Sequence, residues 1–598
     1  AELDVGRILL EAANFSCGEI ESGCGGRGTC SKCKVIVSGG VSAPTSLELR
    51  DLTVEERRNG YRLACQTIIE SDVEVIVPEG SRRSRVSILS EGIQREVPLD
   101  PWARRHVLRV SDATLENQLS DLERVRKSWN VQVGGDLKLT LRALRQLPFA
   151  IREREGYVSL IQVDDHVVCV EAGDNPEHVL GIAFDIGTTT VAGYLLDLES
   201  GEELAVASLL NPQTRHGDDV VSRIAFSTSQ PDGLDILRKE IVGALNEIIA
   251  DTTRAAGVAP HDIYAMTVVG NTTMHHLFLG ISPEALARSP YVPVVMDAQC
   301  LDASELGIDI YPDAHVWTLP NIAGWVGADT VGVILATGLH QQDEMALAID
   351  IGTNGEMALG SRARLVACST AAGPAFEGAQ LSCGMRAADG AIDAVYINST
   401  VQWHTIGETT PRGVCGSGLV DLIAEMLRVG IISTTGMMQS DEALRSDGHH
   451  ELAERIVQVG RHREFDLVRA TEGVDGHGIR VTQRDVRELQ LAKGAIRAGI
   501  ELLMKELGIT PREVKRVYLA GAFGNYIRPS SALGIGLMPT FPNAEIIPVG
   551  NAAGSGAKVA LLSREVRGEA SEIMAHAEYM ELSGRPDFQE EFSEAMIF

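Results

Sequence analysis

The chain has 598 residues, room for roughly three to five domains at about 100–200 residues each, with a core in every one. Lys and Arg number 53 against 82 Asp and Glu, a net charge of −29 that no long Lys/Arg-rich block interrupts, which argues against a nucleic-acid partner because phosphate binding needs a basic footprint. The 44% hydrophobic and 23% charged residues exclude wholesale disorder, no run approaches the ~18 apolar residues of a membrane span, and residues 1–15 lack a secretion-signal pattern, so a cytoplasmic enzyme is expected.

In chain order, Arg7-Ile-Leu-Leu-Glu-Ala-Ala13 reads as a short helix, followed by Cys24-Gly-Gly-Arg-Gly-Thr-Cys30-Ser-Lys-Cys33 and, later, Cys65. Five of the ten cysteines fall in the first 65 residues, a clustering that in a cytosolic chain suggests metal more than disulfides. The spacing C-x5-C-x2-C-x31-C offers four soft thiolates, ligands for zinc or an iron–sulfur cluster. The glycines favour the cluster, because a loop wrapped around inorganic sulfide must turn its N–H groups inward with φ values that Gly adopts cheaply. Zinc sites more often use two separated C-x2-4-C knuckles, and the second half here has only Cys65. Cys17 lies outside the pattern and reads as a bystander. Strands are expected at Lys34–Val37 and Asp72–Pro78, and the segment resembles a plant-type [2Fe–2S] ferredoxin domain of β-grasp-like fold, with one residue more in the first gap than the usual C-x4-C. The opening strands of such a domain are missing before the helix, and the chain starts with Ala1, so the domain, residues 1–80, reads as truncated at its N-terminus.

Residues 81–105, beginning with the basic stretch Ser81–Arg85, read as a solvated linker. From 106 to 175 a small α+β spacer is expected, with a polar helix within Ser111–Trp129, and Tyr157–Val163 and His166–Val170 forming a hairpin around Asp164-Asp165. Cys169, in an apolar run, reads as core.

The remainder, 176–598, carries one phosphate-binding signature twice: Phe184-Asp185-Ile-Gly187-Thr188-Thr189-Thr190 and Ile349-Asp350-Ile-Gly352-Thr353-Asn354-Gly355-Glu356, 165 residues apart. In each an apolar strand delivers an Asp that can hold Mg²⁺ through water, a Gly lets backbone approach phosphate, and hydroxyl and N–H groups donate to phosphate oxygens. The repeat implies duplicated lobes gripping a nucleotide from both sides. Val517–Ala520 leading into Gly521-Ala-Phe-Gly524 suits adenine or ribose against bare backbone, and Gly550-Asn551 opens a helix-like run. Two helical stripes, one of Leu234, Leu237, Ile241, Leu245, Ile248 and Ile249 ended by Gly257, the other of Ile496, Ile500, Leu503 and Leu507 ended by Gly508, read as core. Asn211–Arg223 and Asn271–His276 are candidates for the cleft wall, although adjacent histidines face different directions and do not suit a metal pair. Ala372–Arg386 and Gly413–Gly418 combine glycine with polar residues in a way compatible with loop rigidity, cleft lining or partner contact. Cys383 and Cys415 read as ordinary small residues. Glu377 and Lys493 are the candidates for a catalytic base.

In this order the motifs resemble the actin, hexokinase and Hsp70 superfamily of ATP-binding folds. With the ferredoxin segment, and with Gly60-Tyr-Arg-Leu-Ala-Cys65, Gly384-Met-Arg-Ala387, Leu491-Ala-Lys-Gly-Ala495 and Leu519-Ala-Gly-Ala-Phe-Gly524, nearly the whole chain resembles the reductive activators of corrinoid-dependent methyltransferases. The resemblance implies a multidomain α/β and α+β protein, an ATP-hydrolysing iron–sulfur reductase that returns an oxidised cob(II)amide to cob(I)amide with one electron from a low-potential donor, such as a ferredoxin or flavoprotein. Cys24, Cys30, Cys33 and Cys65 would hold the [2Fe–2S] cluster; Asp185, Thr188, Thr189, Asp350, Thr353 and Asn354 would hold Mg²⁺ and ATP phosphates; the partner would be a corrinoid protein, and the ATPase domain would carry a homodimer contact. Rival readings share these residues: electron donation to another low-potential metalloenzyme, a redox-regulated small-molecule kinase, or a chaperone-like ATP-gated binding module with a structural cluster.

Overall fold

The computed structural model describes residues 6, 8–10, 20, 33–78, 92–116, 118–153, 156–173, 178–378, 381–473, 478–524 and 526–598. The helix expected at Arg7–Ala13 and the basic stretch Ser81–Arg85 fall largely or wholly outside them. The first unit is a three-stranded sheet, β1 (Lys34–Val41), β2 (Tyr61–Leu63) and β3 (Ile69–Ile76), in the order β2-β1-β3 with both pairings antiparallel. Two short helices, Ser46–Asp51 and Val54–Arg58, each start at a threonine that completes a capping box, Thr45 with Glu48 and Thr53 with Glu56, which satisfies donors a helix end leaves bare.

The next unit is a four-stranded sheet, β4 (Ala103–Arg109), β5 (Lys138–Leu139), β6 (Tyr157–Val163) and β7 (His166–Ala172), in the order β4-β6-β7-β5. Strand alternation divides its side chains. Val158 and Leu160 meet Val125, Trp129 and Leu147 of the covering helices Asp121–Gln132 and Leu141–Glu153, while Trp102, Ile161, Val163, Val168 and Cys169 face the opposite way and join the core of the following domain. The hairpin at Asp164-Asp165 and the buried position of Cys169 match the sequence reading.

Two six-stranded sheets follow. The first contains β8 (Leu180–Ile186), β9 (Thr190–Asp197), β10 (Glu203–Leu210), β11 (Ile263–Gly270), β12 (Gln299–Asp302) and β13 (His315–Thr318), ordered β10-β9-β8-β11-β13-β12. The second begins with β14 (Met345–Ile351), β15 (Gly355–Ser361) and β16 (Arg364–Thr370). After them come two small sheets, β17 (Ala391–Ile397) with β18 (Val401–Thr405) and β19 (Gly413–Val414), and β20 (Ile456–Val459) with β21 (His462–Val468) and β22 (Ile479–Thr482). The second large sheet then closes with β23 (Val514–Ala520), β24 (Glu545–Gly550) and β25 (Ala577–Tyr579), ordered β24-β23-β14-β15-β16-β25. Each lobe thus joins three antiparallel strands to a parallel pair, β8-β9-β10 with β11 and β13 in one, β14-β15-β16 with β23 and β24 in the other. This is the duplication the repeated Asp-Gly-Thr signatures imply, on a multidomain α/β and α+β fold. The two apolar stripes lie where expected, on helices Gly233–Ala256 and Gln483–Leu507, each ended by a left-handed glycine, Gly257 and Gly508. Among the described residues, no helix is long and apolar enough to cross a membrane.

Candidate functional site

Both Asp-Gly-Thr turns join the first two strands of their lobe and face each other across a cavity of about 230 Å³. Asp185, Gly187, Thr188, Thr189 and Thr190 line it from one lobe, Asp350, Gly352, Thr353, Asn354 and Glu356 from the other. Four helices start at this cavity. Asn271 is the N-cap of Thr272–Leu279, Asp329 lies in the first turn of Ala328–Thr337, Gly416 and Ser417 open Gly416–Arg428, and Asn551 is the N-cap of Ala552–Leu562; all five line the wall. Helix N-termini present unsatisfied N–H groups and partial positive charge, so their convergence suits a polyphosphate.

Glu377 reaches both lobes: the Thr189 hydroxyl donates to one carboxylate oxygen at 2.8 Å, and the Thr353 hydroxyl donates to the other. Behind the first turn, the Asn211 amide donates to Gly187 O at 2.9 Å and the Asn271 amide to Thr188 Oγ1 at 3.0 Å. Arg223, wholly buried, donates to Thr188 O, and burial pulls its guanidinium down to about 10. Asn211 and Arg223 therefore brace the loop from behind, whereas Asn271 belongs to the cleft wall itself.

Asp185, Asp329, Asp350 and Glu356 place four carboxyl groups in one cleft. Burial pushes Asp185 up to about 7 even though the Asn551 amide donates to it at 2.8 Å, and Asp329 adds to the rise. Asp350 goes up to about 8, through burial first and then the charges of Asp329 and Asp185. Glu356 and Asp329 are raised as well, chiefly by burial. Carboxylates held together at such cost fit a divalent cation, whose charge removes their repulsion. Oxygen donors of this kind suit a hard cation such as magnesium.

Gly521 closes the floor. Its φ of +86° belongs to the left-handed region, and a Cβ there would lie 2.5 Å from Asp350 Oδ1, so this backbone comes close to the cleft as the sequence reading requires. Gly355, Gly524 and Gly550 are off the wall. A Cβ on Gly355 would meet Ile496 at 2.9 Å and one on Gly524 the Leu519 carbonyl carbon at 3.1 Å, while Gly550 takes φ +62° at the end of β24; helix packing and turn geometry account for these three. Lys493 is a correction. It is buried in the helix Gln483–Leu507 and donates to Ile597 O at 2.5 Å, with Phe598 beneath its ammonium, so it holds the last residues of the chain and does not reach the cleft.

Of the glycine-rich stretches, Phe376, Glu377 and Arg386 in one and Cys415, Gly416 and Ser417 in the other line the cavity. His275 and His276 are buried apart from it: the Val294 N–H donates to His276 Nε2 at 3.0 Å, and His275 lies beside Asn321. Asp329 and Tyr526 are wall residues the sequence reading missed. An acidic residue in a first helical turn is a common feature of helices, and the start Gly327-Ala-Asp329 carries no further signal.

In the first unit, Cys33 and Cys65 are buried with their sulfurs 3.3 Å apart. The register begins this, because Lys34 pairs with Leu63 and the Ala64 N–H donates to Cys33 O at 2.9 Å, and the turn Ala64–Gln66 then swings Cys65 back toward Cys33. Glu48, wholly buried, fixes the turn by accepting from Arg62 Nε at 2.8 Å, from the Leu63 N–H at 3.1 Å and from Thr67 Oγ1 at 3.2 Å. Two buried thiols at this separation fit one half of a four-cysteine iron–sulfur set. Cys17, Cys24 and Cys30 lie outside the described residues.

Four family models match this chain in succession: a 2Fe-2S iron-sulfur cluster binding domain over residues 1–70, the RACo linker region over 92–177, the RACo middle region over 180–342, and the C-terminal domain of RACo, the ASKHA domain, over 344–598. The corrinoid activation enzyme RamQ of Eubacterium limosum is 35% identical over 580 residues, covering 96% of this chain and 93% of the relative. The [Co(II) methylated amine-specific corrinoid protein] reductase of Methanosarcina barkeri is 28% identical over 414 residues, 66% of this chain and 72% of that one. A solved structure described as a reductive activator for corrinoid, iron-sulfur protein superposes with a TM-score of 0.76 at 36% identity, covering 100% of this chain and 96% of its own.

Proposed function

The chain belongs to the family of reductive activators of corrinoid proteins, and on that premise we propose that it binds Mg-ATP between its lobes and passes one electron to the inactive cob(II)amide of a corrinoid protein, restoring cob(I)amide for methyl transfer. What carries this reading is the presence in one chain of two converging buried thiols, Cys33 and Cys65, and a two-lobed cleft bridged by Glu377. Cys24, Cys30, Cys33 and Cys65 would hold a [2Fe–2S] cluster, which supplies one-electron chemistry near about −400 mV when it is of the plant type. An acceptor well below that potential stays oxidised without help, since each ~59 mV of uphill one-electron transfer costs a factor of ten.

The residues of the cleft do the work on ATP. Gly187, Thr188, Thr189, Gly352, Thr353 and Asn354 would receive the phosphates with backbone and hydroxyl donors, joined by the four helix N-termini. Asp185 and Asp350, with Asp329 and Glu356 beside them, would hold Mg²⁺, which supplies charge neutralisation for the phosphates. Glu377 stands where it can orient a water, having both threonine hydroxyls as fixed points. Nucleotide between the lobes gives the closed arrangement a differential stability, and this biases the complex with the corrinoid protein toward the reduced cobalt state. The electron would come from a low-potential ferredoxin or flavoprotein, the setting would be the cytoplasm, and two copies would pair through the ATPase domain.

The test is to mix anaerobically reduced protein with a cob(II)amide-loaded corrinoid protein and follow the visible spectrum as Mg-ATP is added. Co(I) that forms only with Mg-ATP supports the proposal. Equal Co(I) yields with and without ATP would end the coupling, and a reducible protein giving no Co(I) with several corrinoid partners would redirect it to another metalloenzyme acceptor.

A further inference from the structure

A second group of metal-type ligands lies away from both the cleft and the ferredoxin thiols, where the β4–β7 sheet meets the outer edge of the first lobe. Strands β12 and β13 run antiparallel with Asp302 opposite His315 and Cys300 opposite Trp317. With a side-chain period of two, Cys300, Asp302 and His315 project from one face of that edge. The turn between β6 and β7 brings Asp164 against the same face. A carboxylate oxygen of Asp164, Cys300 Sγ and a ring nitrogen of His315 all lie within 4.8 Å of one another. His315 Nδ1 is 3.3 Å from Asp164 Oδ2, and its Nε2 is 3.8 Å from Asp302 Oδ1.

We propose that Asp164, Cys300 and His315 bind a borderline divalent cation of the zinc class, with water as fourth ligand, and that this ion fastens the β4–β7 domain to the first lobe. Three observations support the chemistry. Sulfur, imidazole and a single carboxylate form a donor set zinc prefers, whereas magnesium and calcium need oxygen ligands. Ligands of a tetrahedral zinc ion, at bonds of about 2.0–2.3 Å, stand about 3.3–3.8 Å apart, so the group closes on an ion by a shift of about 1–1.5 Å, within reach of Cys300, an exposed side chain on a short edge strand. Asp164 is also oriented from behind: Arg567 donates to its other oxygen at 2.8 Å and stacks on Trp102 at 4.6 Å. That contact holds one carboxylate oxygen and leaves Oδ2 for a ligand role, as partners of metal-bound carboxylates do.

The metal-free alternative is an ion pair of His315 with Asp164, with the Cys300 thiol beside the imidazole, and the two give different results. The experiment uses the full-length iron–sulfur protein, loaded with one equivalent of Zn²⁺ and freed of excess by dialysis, with zinc and iron per chain measured by mass spectrometry and affinity by competition with a chromophoric zinc chelator. The same measurements are made on C300S and H315Q, and the zinc environment is read by X-ray absorption. The expected result is one zinc per chain in the unsubstituted protein, with one sulfur at about 2.3 Å and the remaining ligands nitrogen or oxygen at about 2.0–2.1 Å, and a loss of affinity of about a hundredfold or more in either variant at unchanged iron content. Zinc retention equal in all three proteins, no retention in the unsubstituted protein, or a shell of four sulfurs, which places the ion on the ferredoxin cysteines, would each overturn the site. Iron content and the circular dichroism of the variants establish that they are folded.

Discussion

Replacing Asp350 with Asn is expected to stabilise the nucleotide-free protein while abolishing its ATP turnover. Burial, with the charges of Asp329 and Asp185, pushes Asp350 up to about 8 in the fold, against about 3.9 in an unfolded chain. Its pKa is raised, so the folded state binds the extra proton. The favourable contribution is complete below about pH 4 and is lost as pH climbs from 4 to 8, because the unfolded chain ionises first. At pH 7.5 the full difference amounts to roughly 5 kcal/mol at 1.36 kcal/mol per pH unit. One side of the carboxyl opens on the cleft and is only half-buried, so solvent screens most of this and about 1–2 kcal/mol remains. An Asn of the same shape removes the charge, which at about 2–4 °C per kcal/mol raises the melting temperature of the ATPase domain by ~2–8 °C at pH 8 and by much less at pH 5. The assay is a thermal scan with chelator at both pH values, repeated with Mg-ATP, which should stabilise the unsubstituted protein and not the variant. A variant that melts at or below the unsubstituted protein at pH 8 would refute the reasoning that these carboxyls are held under mutual repulsion for a cation.

Gly521→Ala puts a methyl group 2.5 Å from Asp350 Oδ1 at φ +86°, and nucleotide affinity by calorimetry should fall at least about tenfold, from a backbone cost of about 1–2 kcal/mol plus the clash, at unchanged iron content. Glu377→Gln keeps the size but can no longer accept from both Thr189 and Thr353, and steady-state ATP turnover should drop by about 10²–10³ with little change in KM if Glu377 orients or deprotonates water; a parallel rise in KM would assign it to binding instead. Glu48→Ala leaves the Arg62 guanidinium buried without its carboxylate, a loss of about 3–5 kcal/mol that should appear as depleted iron and an early-melting ferredoxin unit while the ATPase transition stays in place.

The two phosphate loops were legible because each combines a wholly apolar strand, an Asp and a Gly-Thr turn, and few folds other than a duplicated one put that pattern in a chain twice. The helix stripes were legible for the same reason, a period that burial imposes. Glycines were ambiguous in principle: Gly521 lies against the cleft and Gly355 against Ile496, yet both are explained by the absence of a Cβ, and only the coordinates of the neighbour separate them. Lys493 misled because a lysine inside an apolar helical stripe looks functional, and its partner, the carbonyl of Ile597, lies 104 residues further along the chain. Asp329 was missed for the converse reason, since nothing local marks an N-terminal helical acid as one of four facing carboxyls. The zinc-type group shows the limit most directly: Asp164, Cys300 and His315 come from one turn and two strands, and only the β12–β13 register and the domain contact bring them together.

Besides the corrinoid complex, a second route by which the proposed ATP cleft can act on the ferredoxin unit lies where the residues following that unit meet β24. Gly92 forms a β-bridge with Gly550, and the Ile93 N–H donates to Val549 O at 2.9 Å. The next residue, Asn551, donates to Asp185 in the cleft at 2.8 Å. The segment leading out of the ferredoxin unit therefore lies one residue away from a group that touches the proposed magnesium ligand, and any shift of Asn551 on nucleotide binding changes the surface on which that segment rests. A methyl group on Gly92 would lie 2.5 Å from both Asn551 O and Ser555 Oγ, so Gly92→Ala lifts the segment while leaving the cysteines and the carboxylates in sequence and number. The informative quantity is cob(I)amide formed per ATP hydrolysed, which normalises for any direct effect on turnover. A ratio several-fold below that of the unsubstituted protein, at equal iron content, is the outcome expected of a mechanical link. An unchanged ratio would show that ATP acts through the corrinoid complex alone, with no contribution from the contact between Gly92 and Gly550.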